Sequence, residues 1–169
     1  MGHNNEETME AVIGSERDSL LRLACCRTGD VDDAADIVQD VLMKTWKRKD
    51  AVAIADVRGY LYRSLFNACA TYRHRRASVT FVPVSADIPA EAPADDGTAA
   101  EYRRIMRLLE TIPAEQAEVI SLRTAGGKSF AEIAGILGLP LPSVKSRFRY
   151  GIEKIRKMIY DSPKKTKRL

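Results

Sequence analysis

The chain is poor in the side chains that carry out covalent chemistry: 169 residues include 2 histidines, 3 cysteines and 1 tryptophan. His3 and His74 lie far apart, Cys25, Cys26 and Cys69 lack the spacing of metal ligands, and no glycine-rich phosphate loop follows a strand. No catalytic constellation can be built from this set, so no cofactor is expected and an enzyme is the remotest class. The cysteines read as reduced, mostly buried thiols. Long apolar runs are also missing. The hydrophobic share is 45%, enough for a core, yet no stretch approaches the roughly 18 consecutive apolar residues of a membrane span. The opening MGHNNEETMEAV lacks the basic-then-apolar order of a secretory signal, and Glu6 stands where a myristoylation site needs Ser or Thr. A cytoplasmic protein with no membrane insertion is the expectation.

What the chain does have is charge, unevenly placed. Residues 1–50 carry 7 cations and 11 anions, 51–76 carry 5 and 1, 77–101 carry none and 5, and 128–169 carry 11 and 3. Two basic patches flank an acidic strip, which suits a protein that touches a polyanion at two places.

Apolar spacing is helical throughout, with no strand alternation and no internal repeat, so the fold class is all-α. Ile13, Leu20, Leu23 and Ala24 line a first helix. Ala34, Ile37, Val38, Val41, Leu42 and Thr45 line a second, with Asp30 as its N-cap and Lys44, Lys47, Arg48 and Lys49 at its negative end. A third starts near Asp56 and buries Val57, Leu61, Leu65 and Cys69; Tyr62, Phe66 and Trp46 are assigned to packing. Residues 79–98, VTFVPVSADIPAEAPADDGT, hold three prolines, four acids and no cation, and read as an extended linker. The expected organisation is a helical domain over 1–78, the linker over 79–98, a second helical domain over 99–160 and a basic disordered tail over 161–169.

The second domain contains the most informative corner. A fourth helix carries Ile105, Met106 and Leu109, and Pro113 opens a fifth that ends at Gly126 and Gly127. Ser129 and Glu132 form a capping box, Ile133, Ala134 and Leu137 face inward, and Gly138 ends the sixth helix. Pro140 and Pro142 allow only a short turn before Val144, Phe148, Ile152 and Ile155 resume the stripe, which makes a helix-turn-helix. Its second helix presents Ser143, Lys145, Ser146, Arg147, Arg149 and Tyr150, the hydroxyls and cations of a major-groove reader. Gly151 lowers helix propensity by about 0.5–1 kcal/mol relative to alanine and predicts a bend.

Three stretches, DDAADIVQDVLMKTW, VRGYLYRSLFNACATYRHRR and TIPAEQAEVISLRTAGGKSFAEIAGILGLPLPSVKSRF, occur in an order that resembles the extracytoplasmic-function (ECF) sigma factors of bacterial RNA polymerase. The resemblance runs from about residue 15 to residue 158. It implies a region two and a region four that bind core polymerase and recognise the −10 and −35 promoter elements. Asp36, Gln39, Asp40, Met43 and Lys47 would dock on the β′ coiled coil, and region four would sit on the β flap. Tyr60, Arg63, Asn67, Thr71, Arg73, His74, Arg75 and Arg76 would hold the melted −10 strand, an aromatic ring stacking on a base for about 1–3 kcal/mol. An anti-sigma factor is a further implied partner. The residues leave two rivals open: a stand-alone helix-turn-helix regulator and a sigma mimic that binds only a regulator protein.

Overall fold

The computed structural model describes residues 8–50, 56–79 and 97–161. The expected linker and tail lie almost wholly outside the described residues. Seven helices and no strand occur among the described residues: α1 Met9–Thr28, α2 Val31–Lys47, α3 Val57–Val79, α4 Thr98–Glu110, α5 Ala114–Thr124, α6 Phe130–Leu137 and α7 Leu141–Asp161.

Local chemistry sets the ends. Gly29, at φ +71°, closes α1, and the Asp30 carboxylate accepts the Asp33 N–H at 2.9 Å to open α2, so the chain reverses within two residues. The predicted stripes meet in the α1–α3 bundle, where Leu20, Leu23, Ala24, Ala34, Val38, Val41, Val57, Leu61, Leu65 and Cys69 are all buried. On α1 it is Val12, not Ile13, that is fully enclosed. Tyr62 and Phe66 are buried as expected. Trp46 is not: it is 39% exposed, with the Lys49 ammonium 4.9 Å from its ring centre. The buried residues of α2, Ala34, Val38, Val41 and Thr45, step by three and four, and position 46 falls about 100° away from that line.

In the second half, Ser129 and Glu132 form both arms of the capping box, and Gly138 takes φ +64° at the corner. Val144 is fully buried between α6 and α7, and Phe130 meets Phe148 edge to face at 5.2 Å. α7 is continuous through Gly151. Gly151 is buried against α5, and a Cβ there would lie 2.6 Å from Ile120 Cδ1 and 3.2 Å from Gln116 Cβ. The missing side chain is what lets the two helices approach, which outweighs the propensity loss.

The two halves pack on each other. Val119, Leu122, Ile133, Ile136 and Val144 join the α1–α3 residues in one apolar cluster, and Cys26 of α1 joins Leu109, Ile112, Ala117 and Ile120 in a second. A polar joint accompanies them. Glu16, 3% exposed, accepts Arg58 Nε at 2.9 Å, Lys128 Nζ at 2.6 Å and the Tyr62 hydroxyl, so a buried carboxylate is matched by three donors. Burial acts to raise the Glu16 pKa, but hydrogen bonds from Lys128, Tyr62 and Arg58 outweigh it and hold the carboxyl below its ordinary value. Ser19 Oγ donates to the Gly126 carbonyl at 2.8 Å and Arg22 Nε to the Ala125 carbonyl at 3.0 Å. Against these stands Arg27 of α1, 9% exposed, whose Nε lacks a hydrogen-bond partner. An unmet buried donor of this kind costs about 1–3 kcal/mol.

Candidate nucleic-acid and polymerase interfaces

α7 begins where the Pro140 carbonyl accepts the Ser143 and Val144 N–H groups at 3.0 and 3.2 Å. Pro142 falls in the first turn, where its missing N–H removes no helical bond. Because Val144 points into the core, Lys145 and Arg149 project outward and are exposed. Ser143 and Ser146 are half-buried beside them. The Arg149 guanidinium lies 5.1 Å from the centre of the Tyr150 ring, which is 49% exposed. Arg147 is half-buried and turns toward α5, 3.5 Å from Glu115. Five of the six expected residues, Ser143, Lys145, Ser146, Arg149 and Tyr150, thus form an open face of cations, hydroxyls and one ring, while Arg147 is tied to the scaffold.

α3 is different. Tyr60 is half-buried and receives a hydrogen bond from Arg48 Nη1 at 3.2 Å, an interaction that draws its hydroxyl pKa down. Asn67, Thr71, His74 and Arg75 are exposed, with the Thr71 hydroxyl bonded to the Asn67 carbonyl at 3.0 Å. The remaining cations are occupied. Arg63 pairs with Asp56 at 3.0 Å and leans toward the Ile136 carbonyl at 3.5 Å. Arg73 pairs with Glu110 of α4 at 2.8 Å, and Arg76 with Asp33 of α2 at 3.7 Å.

A groove of about 780 Å³ runs between α2 and α3, lined on one wall by Asp30, Asp33, Asp36 and Asp40 and on the other by Thr71, Tyr72, Arg75 and Arg76. Tyr72 was not among the expected residues. Its hydroxyl donates to Asp33 at 2.6 Å and it also bonds Arg76, so it joins the two walls. Its spacing of four from Arg76 on one helix was the available signal. Asp36, Gln39, Asp40, Met43 and Lys47 are all exposed on α2, as a docking face requires. Asp40 also pairs with Lys44 at 2.8 Å, a surface contact of little energetic weight.

The thiols of Cys25, Cys26 and Cys69 are free and buried, and burial pushes Cys26 and Cys69 up to about 11. No group of acidic, histidine or cysteine side chains among the described residues is arranged to hold a metal ion, and no described helix is long and apolar enough to cross a membrane.

Comparison with known proteins bears directly on these faces. The family model for sigma-70 region 2 matches residues 12–79, and that for sigma-70 region 4 matches residues 102–155. The RNA polymerase sigma-E factor of Streptomyces avermitilis is 30% identical over 161 residues, covering 92% of this chain and 87% of that protein. The ECF RNA polymerase sigma factor SigL of Mycobacterium tuberculosis is 30% identical over 154 residues, covering 88% and 86%. The chain belongs to the ECF class of the sigma-70 family. As an RNA polymerase sigma factor it works in transcription initiation. Region two of this ECF factor is therefore α1–α3, and region four comprises α4–α7. Among solved structures, CnrH in complex with the cytosolic domain of CnrY matches at TM-score 0.66 and 22% identity, covering 94% of this chain and 92% of that one. The sigma factor RpoE in complex with the anti-sigma factor NepR, from Bartonella quintana, matches at TM-score 0.60 and 22% identity, covering 92% and 99%. At that identity the likeness establishes the shared fold.

Proposed function

We propose that this ECF sigma factor divides promoter recognition between its two faces. Lys145, Arg149 and Ser146 read or clamp the −35 duplex in the major groove, with Ser143 and Tyr150 flanking and Arg147 bracing α7 on α5. Cation pairs with guanine edges are worth about 1–3 kcal/mol each in discrimination, so two such residues suffice for a preferred sequence. The observation that carries this reading is the open cationic face of α7, held on a fully capped helix-turn-helix in a chain that matches both sigma regions in order.

Region two supplies the melted strand's site. Tyr60 offers the stacking surface, Asn67 and Thr71 offer hydrogen bonds, and His74 and Arg75 attract phosphate, with Arg63, Arg73 and Arg76 joining once released. Stacking on one aromatic ring, about 1–3 kcal/mol, offsets much of the few kcal/mol needed to unstack a base. The α2 face of Asp36, Gln39, Asp40, Met43 and Lys47 docks on the polymerase β′ coiled coil, and region four rests on the β flap. The work is binding and strand capture in the cytoplasm, without covalent chemistry. An anti-sigma factor is the regulatory partner proposed, since both structural neighbours were solved with a bound protein and one of these is an anti-sigma factor.

Run-off transcription on fragments of the source genome tests the assignment. Purified chain plus core polymerase should give discrete start sites, core alone should give none, and a chain that directs no start site refutes it.

A further inference from the structure

The last turn of α3 carries a hydroxyl that neither the core nor the proposed strand site uses. Ser78 is exposed, one residue before the helix ends at Val79, and its Oγ donates to the His74 carbonyl at 3.0 Å. Arg75 and Arg76 stand three and two residues ahead of it, in the run RHRRAS. The sequence has one other pair of adjacent arginines, Arg103 and Arg104, and no serine or threonine follows that pair at the same distance.

Helix geometry decides what a charge added to Ser78 would meet. Residues three and four apart share a helix face, so Arg75 and His74 lie beside Ser78. Both are exposed, whereas Arg63, Arg73 and Arg76 are each engaged with a carboxylate. The cations within reach of Ser78 are therefore those most available to the phosphates of a strand.

We propose that Ser78 is a phosphorylation site for an arginine-directed serine kinase, and that a phosphate there blocks capture of the −10 strand. The inference rests on the assignment of His74 and Arg75 to that strand. In the transfer, Ser78 Oγ bonds to the γ-phosphorus of a nucleoside triphosphate and the bond from that phosphorus to the β-bridging oxygen breaks. The hydroxyl proton passes to a base on the kinase, and the nucleoside diphosphate leaves.

The site suits this reaction in two ways. Arg75 and Arg76 match a kinase whose substrate groove is lined by carboxylates, and the Arg76–Asp33 pair, 3.7 Å apart with the Arg76 side chain 63% exposed, yields to such a partner at small cost. The last turn of a helix, whose final carbonyls lack intrahelical partners, opens readily to present the hydroxyl. The product carries about 1.5–2 negative charges near pH 7. It accepts charge-assisted hydrogen bonds from Arg75 and His74, repels the phosphates of an incoming strand, and opposes the negative end of the α3 dipole. Lys145 and Arg149 on α7 keep their charge, so duplex recognition persists.

The test has two arms, both on the full chain. Incubated with a lysate of the source cells and γ-labelled ATP, the purified chain should take up label at Ser78; Ser78→Ala should abolish it and Arg75→Ala should weaken it. No label, or label unchanged in Ser78→Ala, overturns the proposal. In the second arm, chain synthesised with phosphoserine at position 78 is combined with core polymerase. Permanganate reactivity of the −10 thymines should fall roughly tenfold or more, while −35 protection and core pull-down stay at parent level and unmodified Ser78→Ala transcribes as the parent does. Binding of the complex to a single-stranded −10 oligonucleotide should lose about 1.4 from its log–log salt slope, two phosphate contacts at about 0.7 each, a change that mere loosening of a helix end does not produce. Equal reactivity and an equal slope overturn the regulatory claim and leave the sigma assignment intact. Label at Ser78 in a chain that directs no transcription keeps the modification site and rejects the −10 role.

Discussion

The faces proposed for nucleic acid on region four and on region two lie in opposite conditions. On α7 the outward cations Lys145 and Arg149 are exposed, whereas on α3 Arg63, Arg73 and Arg76 are each engaged with a carboxylate. The difference follows from what each helix packs against. α7 gives one stripe, Val144 and Phe148, to the core and leaves the other side to solvent. α3 is central: it packs on α1 and α2, its flank meets α6, and Arg73 ties it to Glu110 of α4. Under the proposed roles, α7 reads duplex as a rigid helix already in place, and α3 captures a strand after polymerase has engaged. A ready face and an occupied one correspond to that order of events.

The largest effect is expected on α7. Removing both outward cations with Lys145→Ala and Arg149→Ala should lower promoter-specific run-off transcription by about a hundredfold or more, at about 1–3 kcal/mol per contact, with core binding unchanged in a pull-down. Transcription within twofold of the parent would mean that α7 is not the reader. Next in size is the scaffold beneath that helix. Gly151→Leu should overpack the α5–α7 contact against Ile120 and destabilise the protein by about 1–3 kcal/mol in denaturant titration, with partial recovery when Ile120→Ala is added.

On the occupied side, Tyr60→Ala should reduce strand opening roughly tenfold, read by permanganate reactivity of the −10 thymines, while Tyr60→Phe keeps most of it because stacking is retained. Equal loss in both would transfer the role from the ring to the hydroxyl held by Arg48. The smallest effect concerns the joint. The Glu16 pKa lies below the ordinary 4.5, so its stabilisation is complete above about pH 4.5 and fades as pH falls through the lowered value. Glu118 works in the opposite sense: burial raises its pKa, so protonation on acidification favours the folded state. Glu16→Gln should therefore flatten the acid limb of the stability profile. A limb as steep as the parent's would show that the Glu16 charge does not supply it.

Much of this was legible in the chain, and the physics explains which part. The Asp30 cap, the Ser129–Glu132 box, the left-handed Gly138 and the α3 stripe are local: each depends on residues within one turn or one helix face. The outward face of α7 followed from the buried position of Val144. What the chain did not disclose is set across more than a hundred residues. Glu16 and Lys128 look like ordinary surface charges until Tyr62 and Arg58 enclose them, and Ile136 lies off the expected α6 stripe because its burial comes from packing on region two. The packing role of Gly151 was hidden for a similar reason, since a propensity scale has no knowledge of Ile120 on another helix. Trp46 was assigned to packing with Tyr62 and Phe66, although its angular position on α2 points it outward.

The most direct test of the central claim is a footprint of one mapped promoter by core polymerase, with and without this chain. Protection at both the −35 and −10 elements, with unpaired thymines at −10, should arise only when chain and core are present together. Strong specific protection by the chain alone, or none at −10 with core present, would contradict it.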